Sequence, residues 1–101
     1  MAMTPEAKVK KRAVAQLKTL GAYYFYPVTG GWGKSGVPDI VACYKGLFLG
    51  LECKAGKGKP TKLQELNLKQ IGEAGGYALI VDETNVDDLG ALIMEAHDGW
   101  S

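Results

Sequence analysis

The alternation of hydrophobic and polar positions predicts an order of helix, three strands, helix, strand and helix. Val9, Ala13 and Leu17 recur at helical spacing, and this first helix is predicted to begin at its cap Thr4 and to end at Gly21. The strands are predicted at residues 22–28, 40–44, 47–51 and 77–81, the second helix at 61–74, and the last helix around 89–96.

The second helix and the fourth strand are expected to close the core. Leu63, Leu66, Ile71 and Ala74 are predicted to form the inward side of the helix. Residues 77–81 are apolar throughout, which is typical of a strand buried on both faces. Short strands with helices on both sides predict a three-layer α/β sandwich, built as one domain over residues 1–101.

Charged residues stand at the ends of the two central strands. Asp39 precedes the apolar run 40–44, and Glu52 and Lys54 follow the run 47–51. Side chains alternate between the two faces of a strand, so Glu52 and Lys54 point to the same side. A buried charge is costly unless it is paired or binds a metal. These three residues therefore form the strongest candidate site.

Composition fits an ordinary globular protein. The 101 residues are 47% hydrophobic and 23% charged, and no apolar run is long enough to cross a membrane. Two cysteines and one histidine cannot provide a four-ligand structural zinc site, so Cys43 and Cys53 are expected to be small buried hydrophobic residues in a reducing compartment. We expect a cytoplasmic protein without a membrane partner.

The net charge of +1 conceals an asymmetry between the two parts of the chain. Residues 1–62 contain eleven of the twelve basic residues and three acids, a net charge of +8, whereas residues 63–101 have a net charge of −7. A basic half of this kind favours a polyanion such as nucleic acid. Ordinary sorting of surface charge is the alternative.

A glycine-rich loop at residues 29–36 contains the tripeptide G-K-S. The sequence argues against a phosphate-binding P-loop, because the motif requires glycine where this chain has Val28. The loop is instead expected to meet a phosphate backbone. Trp32 is expected either to stack on a base or to cover the core.

The central charges suit phosphodiester hydrolysis. Mg²⁺ binds oxygen ligands, commonly one or two carboxylates with water and substrate phosphate, and Asp39 and Glu52 are ligands of that kind. Lys54 can hold the attacking water or the developing negative charge. The predicted cofactor is Mg²⁺, and we expect Mn²⁺ to substitute for it.

The pair Pro38-Asp39 followed by Glu52-Cys53-Lys54 resembles the PD-(D/E)XK nuclease signature. The chain is more closely similar to the VRR-NUC branch, the virus-type replication–repair nucleases. The similarity extends from the entry helix through the 35–39 segment to the helix with Gln64 and the turn at 75–77. It implies a restriction-endonuclease-like core with the order αβββαβα. It also suggests a viral origin in a bacterial host.

The resemblance also assigns roles. It implies that Asp39, Glu52 and the backbone carbonyl of Cys53 bind the metal and that Lys54 is the catalytic lysine. It further implies that Glu6 supports the metal site and that Gln64 orients it. The alternative is that Glu6 and Gln64 only stabilise the beginnings of their helices.

The family acts on branched or flapped DNA, and its minimal members resemble Holliday-junction resolvases and often form homodimers. The leading hypothesis is therefore a Mg²⁺-dependent, structure-selective DNA endonuclease that acts as a homodimer. A non-catalytic DNA-binding module and a protein–protein adaptor are the alternatives. The residues expected to contact DNA are Lys34, Ser35, Lys57, Lys59 and Lys62.

Overall fold

The computed structural model describes residues 3–28 and 33–101. Its helices and strands are α1 (Pro5–Leu20), β1 (Tyr23–Phe25), β2 (Ile40–Tyr44), β3 (Leu47–Cys53), α2 (Lys62–Glu73), β4 (Tyr77–Val81) and α3 (Leu89–Trp100). A single 3₁₀ turn, Val86–Asp88, leads into α3. This element order is the αβββαβα order expected from the family resemblance.

The strands form one sheet in the order β1-β2-β3-β4. Strands β1, β2 and β3 are antiparallel to their neighbours, and β4 runs parallel to β3. Helices α1 and α3 pack against each other and cover one face, while α2 covers β3 and β4 on the other face. The predicted three-layer α/β sandwich is confirmed.

The hairpin between β2 and β3 sets the register of the site. Lys45 and Gly46 both have positive φ, 48° and 90°, as a tight two-residue turn requires. Ile40 then pairs with Leu51 and Tyr44 with Leu47. This register places Asp39, which precedes β2, opposite Glu52 near the end of β3.

The hydrophobic core lies between the sheet and the α1/α3 layer. Leu17 of α1, Leu49 and Leu51 of β3, and Leu89 and Ile93 of α3 are all fully buried. The predicted cap and stop of α1 are confirmed: Thr4 accepts a hydrogen bond from the Ala7 N–H, and Gly21 adopts the left-handed conformation. The core therefore holds α1 against the centre of the sheet.

Two predictions about burial are wrong. Leu63 and Leu66 are 45% and 48% exposed, and Asn67 is the buried residue of α2. The reason is that α2 covers only β3 and β4, so its inward stripe is narrow. In β4 only Val81 is fully buried, because β4 is an edge strand without a neighbour on one side.

The first strand is shorter than predicted, Tyr23–Phe25 instead of 22–28. Trp32 and the first part of the glycine-rich loop, residues 29–32, lie outside the described residues. Within residues 3–28 and 33–101, no helix is long and apolar enough to cross a membrane.

Candidate active site

Two backbone hydrogen bonds fix Asp39 and Glu52 relative to each other. The Asp39 N–H donates to Glu52 Oε1 at 3.2 Å, and the Cys53 N–H donates to Asp39 Oδ2 at 2.8 Å. One oxygen of each carboxylate is therefore fixed by the backbone of the opposing segment. The two acids that the sequence singled out are adjacent at one end of the β2/β3 pair.

Glu52 is the most unusual charged group of the described residues. It is 1% exposed, and burial raises its pKa, with a further rise from the negative charge of Asp39. The Lys54 ammonium lowers the pKa but does not cancel these effects. Among the described residues, Glu52 Oε2 accepts no hydrogen bond, although it is fully buried. The charged group nearest to this oxygen is the Lys54 ammonium, so the buried oxygen is ion-paired without a well-formed hydrogen bond.

Lys54 lies between two acids. Its Nζ is 3.3 Å from Glu52 Oε2, an ion pair whose geometry falls short of a hydrogen bond. The same Nζ is 3.9 Å from Oε1 of Glu6, which α1 contributes from its first turn. Only 16% of the Lys54 side chain is exposed, while half of the Glu6 side chain is. The structure thus brings Glu6 next to the lysine while keeping it in a helix-start position.

The Cys53 side chain does not take part in the site. The thiol is fully buried, and burial together with the charges of Asp39 and Glu52 raises its pKa to about 12. A thiol with that pKa stays protonated at neutral pH and is a poor metal ligand. The contact that Cys53 makes in the site is that of its backbone N–H with Asp39 Oδ2.

Gln64 takes part in the cap of α2 and also lies beside the candidate site. Its Oε1 accepts a hydrogen bond from the Thr61 N–H at 2.9 Å, and the Gln64 N–H donates to Thr61 Oγ1 at 3.2 Å, a capping box. The residue also lines a cleft of about 240 Å³ together with Asp39, Lys10 and Tyr26. The carbonyl oxygen serves the helix start, and the side chain still reaches the cleft.

Sequence reasoning missed Asn67, which holds the segment that leads into Asp39. Its Nδ2 donates to the Ser35 carbonyl at 3.2 Å and to the Leu63 carbonyl at 2.9 Å. Gly36 has φ of +76°, and a Cβ on it would lie 2.6 Å from Leu63 Cγ. The available signal was a polar residue one turn before Ile71, on the inward side of the predicted helix.

The residues expected to contact DNA fall into two groups. Lys57, Lys59 and Lys62 are exposed in and beside the loop after Lys54. The Gly56 N–H anchors this loop by donating to both Glu83 carboxylate oxygens, at 3.0 and 3.1 Å. The second group, Lys34 and Ser35, packs along α2, where Lys34 Nζ donates to Gln70 Oε1 at 2.9 Å.

The donor set at the strand ends suits a hard divalent cation. Asp39 and Glu52 each have one carboxylate oxygen that accepts no hydrogen bond from the described residues, and Glu52 Oε2 is buried. Oxygen-only ligands are those that Mg²⁺ selects. No group of three or more His, Cys, Asp or Glu side chains in the described part of the chain is arranged to hold a metal. A third protein ligand would therefore be a donor of another kind, such as a backbone carbonyl.

The sheet order and the flanking helices define a mixed α/β fold with two paired carboxylates at its strand ends. A solved structure described as "VRR_NUC domain" superimposes with a TM-score of 0.70 at 23% identity, covering 86% of this chain and 95% of that chain. A second, "VRR_NUC domain protein", has a TM-score of 0.65 at 18% identity and covers 95% and 90%. The chain has the VRR-NUC fold.

Sequence comparison adds one relative from a phage. The protein "Putative nuclease p44" of Acyrthosiphon pisum secondary endosymbiont phage 1 is 27% identical over 90 residues, 88% of this chain and 95% of that protein. No family model matches the chain. The resemblance that the motifs indicated is thus confirmed at the level of the fold.

Proposed function

We propose that this protein is a Mg²⁺-dependent DNA endonuclease that hydrolyses phosphodiester bonds in branched or flapped DNA. The observation that carries the proposal is the buried Glu52 carboxylate, held against Asp39 through Oε1, whose Oε2 lies 3.3 Å from the Lys54 ammonium and accepts no hydrogen bond among the described residues. The VRR-NUC fold and the description of phage p44 as a nuclease support the same class of activity. The phage source of p44 also agrees with a viral origin.

Asp39, Glu52 and the Cys53 carbonyl would hold the metal. Bound Mg²⁺ would neutralise phosphate charge and lower the pKa of water, which is the chemistry that phosphodiester hydrolysis requires. Without a metal, the ionised site is unfavourable, since burial and the charge of Asp39 both disfavour ionised Glu52. A cation would offset that cost, which is why the acids fit a metal site better than a purely structural role.

Lys54 supplies the fixed positive charge of the site. It lies 3.3 Å from Glu52 Oε2, so its ammonium can orient the attacking water and stabilise the charge that develops on the phosphate. Glu6, 3.9 Å from the same nitrogen, is a second acid that directs the lysine along the strand end. In this proposal Gln64 orients groups in the cleft through its remaining amide hydrogens.

DNA would meet the site through exposed lysines. Lys57, Lys59 and Lys62 follow the catalytic lysine directly along the chain, so a phosphate backbone held there lies next to the acids. Lys34 and Ser35 complete the proposed DNA contacts from the other loop. Without a bound cation, the two carboxylates would repel the same backbone, which argues against a module that only binds DNA.

The proposal includes a homodimer. Leu63, Leu66 and Phe48 are each more than two-fifths exposed, at 45%, 48% and 44%, so the α2 side of the domain has apolar surface available for a second copy. Two symmetry-related sites would suit a junction with two equivalent strands.

The test is cleavage of labelled linear, flapped and four-way DNA with and without Mg²⁺, together with the solution mass. The expected result is metal-dependent cleavage that favours the branched substrates, with paired cuts on the junction and a dimer mass. Asp39→Ala should reduce cleavage by at least about 100-fold, because it removes charge stabilisation at the reacting phosphate. Asp98→Ala, the same change at an exposed acid on α3, is the matched control.

Each result separates the hypotheses. Equal cleavage by Asp39→Ala and the wild-type protein contradicts the mechanism. DNA binding without product at any metal concentration favours the non-catalytic module. No DNA binding at physiological salt favours the protein–protein adaptor.

A further inference from the structure

A second groove adjoins the candidate active site, between α1 and β1. We call it the α1/β1 groove; it encloses about 570 Å³, and its lining includes Lys10, Lys11, Lys18, Tyr24 and Tyr26. None of the residues already expected to contact DNA lines it. The groove therefore lies outside the DNA contacts that the sequence predicted.

The groove is cationic without internal neutralisation. Among residues 3–28 and 33–101, none of the ammonium groups of Lys10, Lys11 and Lys18 forms an ion pair. No acidic side chain of these residues lines the groove. Lys11 and Lys18 are seven residues apart on α1, about 10 Å along the helix axis. At that separation the two ammonium groups can contact different phosphates of one strand.

The groove also presents aromatic rings. Tyr26 is 47% exposed, and its ring centroid lies 4.4 Å from Lys10 Nζ and 6.1 Å from the ring of Tyr24. The floor is apolar where Val14 of α1 contributes to it. Lysines for phosphates beside an exposed ring for a base are the two components of single-strand recognition. A duplex hides its base faces and would leave Tyr26 without a base to stack on.

The groove is connected to the catalytic cleft. Lys10 and Tyr26 line both the α1/β1 groove and the cleft that contains Asp39 and Gln64. A strand lying in the groove would therefore leave it beside the carboxylates.

From this arrangement we propose that the α1/β1 groove binds a single-stranded DNA arm and leads it to the acids. Phosphates contact Lys10, Lys11 and Lys18, and a base stacks on Tyr26. The inference rests on the proposed nuclease function and adds the surface that holds an unpaired arm of the substrate.

The first test measures binding of a fluorescent single-stranded thymine oligonucleotide in EDTA, over a range of salt concentrations. Each phosphate contact contributes a slope of about −0.7 to log K against log salt for single strands, so Lys11→Gln/Lys18→Gln should make the slope shallower by about 1.4. Lys8→Gln/Lys69→Gln is the matched control: it removes the same charge from exposed positions outside the groove. Equal effects of the two double variants overturn the proposal.

The aromatic contact has a separate readout. Tyr26→Leu should weaken oligonucleotide binding about 5-fold or more, because stacking of one base contributes about 1–3 kcal/mol, whereas Tyr26→Phe keeps the ring and should bind like the wild-type protein. Circular dichroism verifies that both variants are folded. Equal affinities of the Leu and Phe variants contradict the stacking contact.

Cleavage distinguishes this proposal from the proposed function. With Mg²⁺, the Lys11→Gln/Lys18→Gln variant should lose kcat/KM on a forked DNA with an unpaired arm and keep it on a blunt duplex. If the wild-type protein cleaves no DNA, the proposed function fails, while binding in EDTA still reports on the groove. If the wild-type protein cleaves but prefers no substrate with an unpaired arm, the groove proposal fails and the nuclease remains.

Discussion

Asp39 and Glu52 are linked by reciprocal hydrogen bonds between backbone and carboxylate. The Asp39 N–H donates to Glu52 Oε1 at 3.2 Å, and the N–H that follows Glu52, that of Cys53, donates to Asp39 Oδ2 at 2.8 Å. This arrangement holds two carboxylates together before any ligand arrives. It fixes one oxygen of each acid, and the remaining oxygens are the ones that the proposed function assigns to the metal.

Metal binding should stabilise the fold. A ligand at ten times its Kd contributes about 1.4 kcal/mol to the free energy of unfolding, which for a domain of about 100 residues corresponds to a rise in Tm of roughly 6–11 °C. Differential scanning fluorimetry with Mg²⁺ or Mn²⁺ against EDTA measures this. Asp39→Asn, which can still accept the Cys53 N–H, should abolish the rise; a rise that persists in this variant would place the metal elsewhere.

Glu52→Gln should stabilise the metal-free protein at neutral pH. Burial and the Asp39 charge raise the pKa of Glu52 above its ordinary value of 4.5, so the folded state holds this proton more tightly than the unfolded state does. The contribution of Glu52 to stability is therefore full below pH 4.5 and is lost as the pH rises through the raised pKa. The advantage of the variant should appear at neutral pH and shrink on acidification.

The measurement is urea unfolding in EDTA from pH 4 to 8. Lys54→Met should destabilise the metal-free protein at neutral pH, because it removes the charge that lowers the Glu52 pKa. Lys54→Met should lower the free energy of unfolding less in the Glu52→Gln variant than in the wild-type protein, as expected for directly coupled groups. A Glu52→Gln variant that is less stable than the wild-type protein at pH 7 would contradict this electrostatic account.

Gly36→Ala should damage both stability and activity. The left-handed φ alone disfavours alanine by about 1–2 kcal/mol, and the new Cβ would also lie 2.6 Å from Leu63 Cγ and 2.9 Å from Asn67 Nδ2. Relief of that contact would displace the segment leading to Asp39, and a misplacement of about 1 Å can cost about 100-fold in rate. Chemical unfolding and the cleavage rate measure the two effects.

Gly21→Ala is the matched control for backbone strain. Gly21 lies at the end of α1 and has nearly the same φ, +74°, but a Cβ added to it would have no neighbouring atom within 4 Å. The variant should lose about 1–2 kcal/mol and keep its cleavage rate. If the two alanine variants lose the same stability and activity, the close approach of Gly36 to α2 does not affect cleavage.

Cys53→Ala should keep its activity. The thiol is buried and has a pKa of about 12, so only the backbone of residue 53 contributes to the site. We expect a loss of roughly 1 kcal/mol in the free energy of unfolding from the smaller side chain, and cleavage close to that of the wild-type protein. Loss of metal binding in this variant, with the fold intact, would assign the thiol a direct role.

Much of the fold was predictable because its signals are local. Thr4 and Gly21 limit α1 through contacts with neighbouring turns, and Lys45-Gly46 closes the hairpin through its own backbone conformation. Which face of α2 is buried was not predictable from apolar periodicity. Leu63 and Leu66 have the right spacing but remain exposed, because only the position of α2 over β3 and β4 decides which stripe is buried.

Local patterns in the chain were enough to predict the order of the elements and the spacing that places Asp39 opposite Glu52, with Lys54 two residues further. Those features depend on strand alternation and on a two-residue turn, both short-range properties of the chain. The burial of Glu52 Oε2 without a hydrogen bond, and the connection that Lys10 makes between a second groove and the site, became visible only in the folded domain. Both arise from packing between distant segments, where α1 meets the strand ends, and no local pattern encodes such contacts.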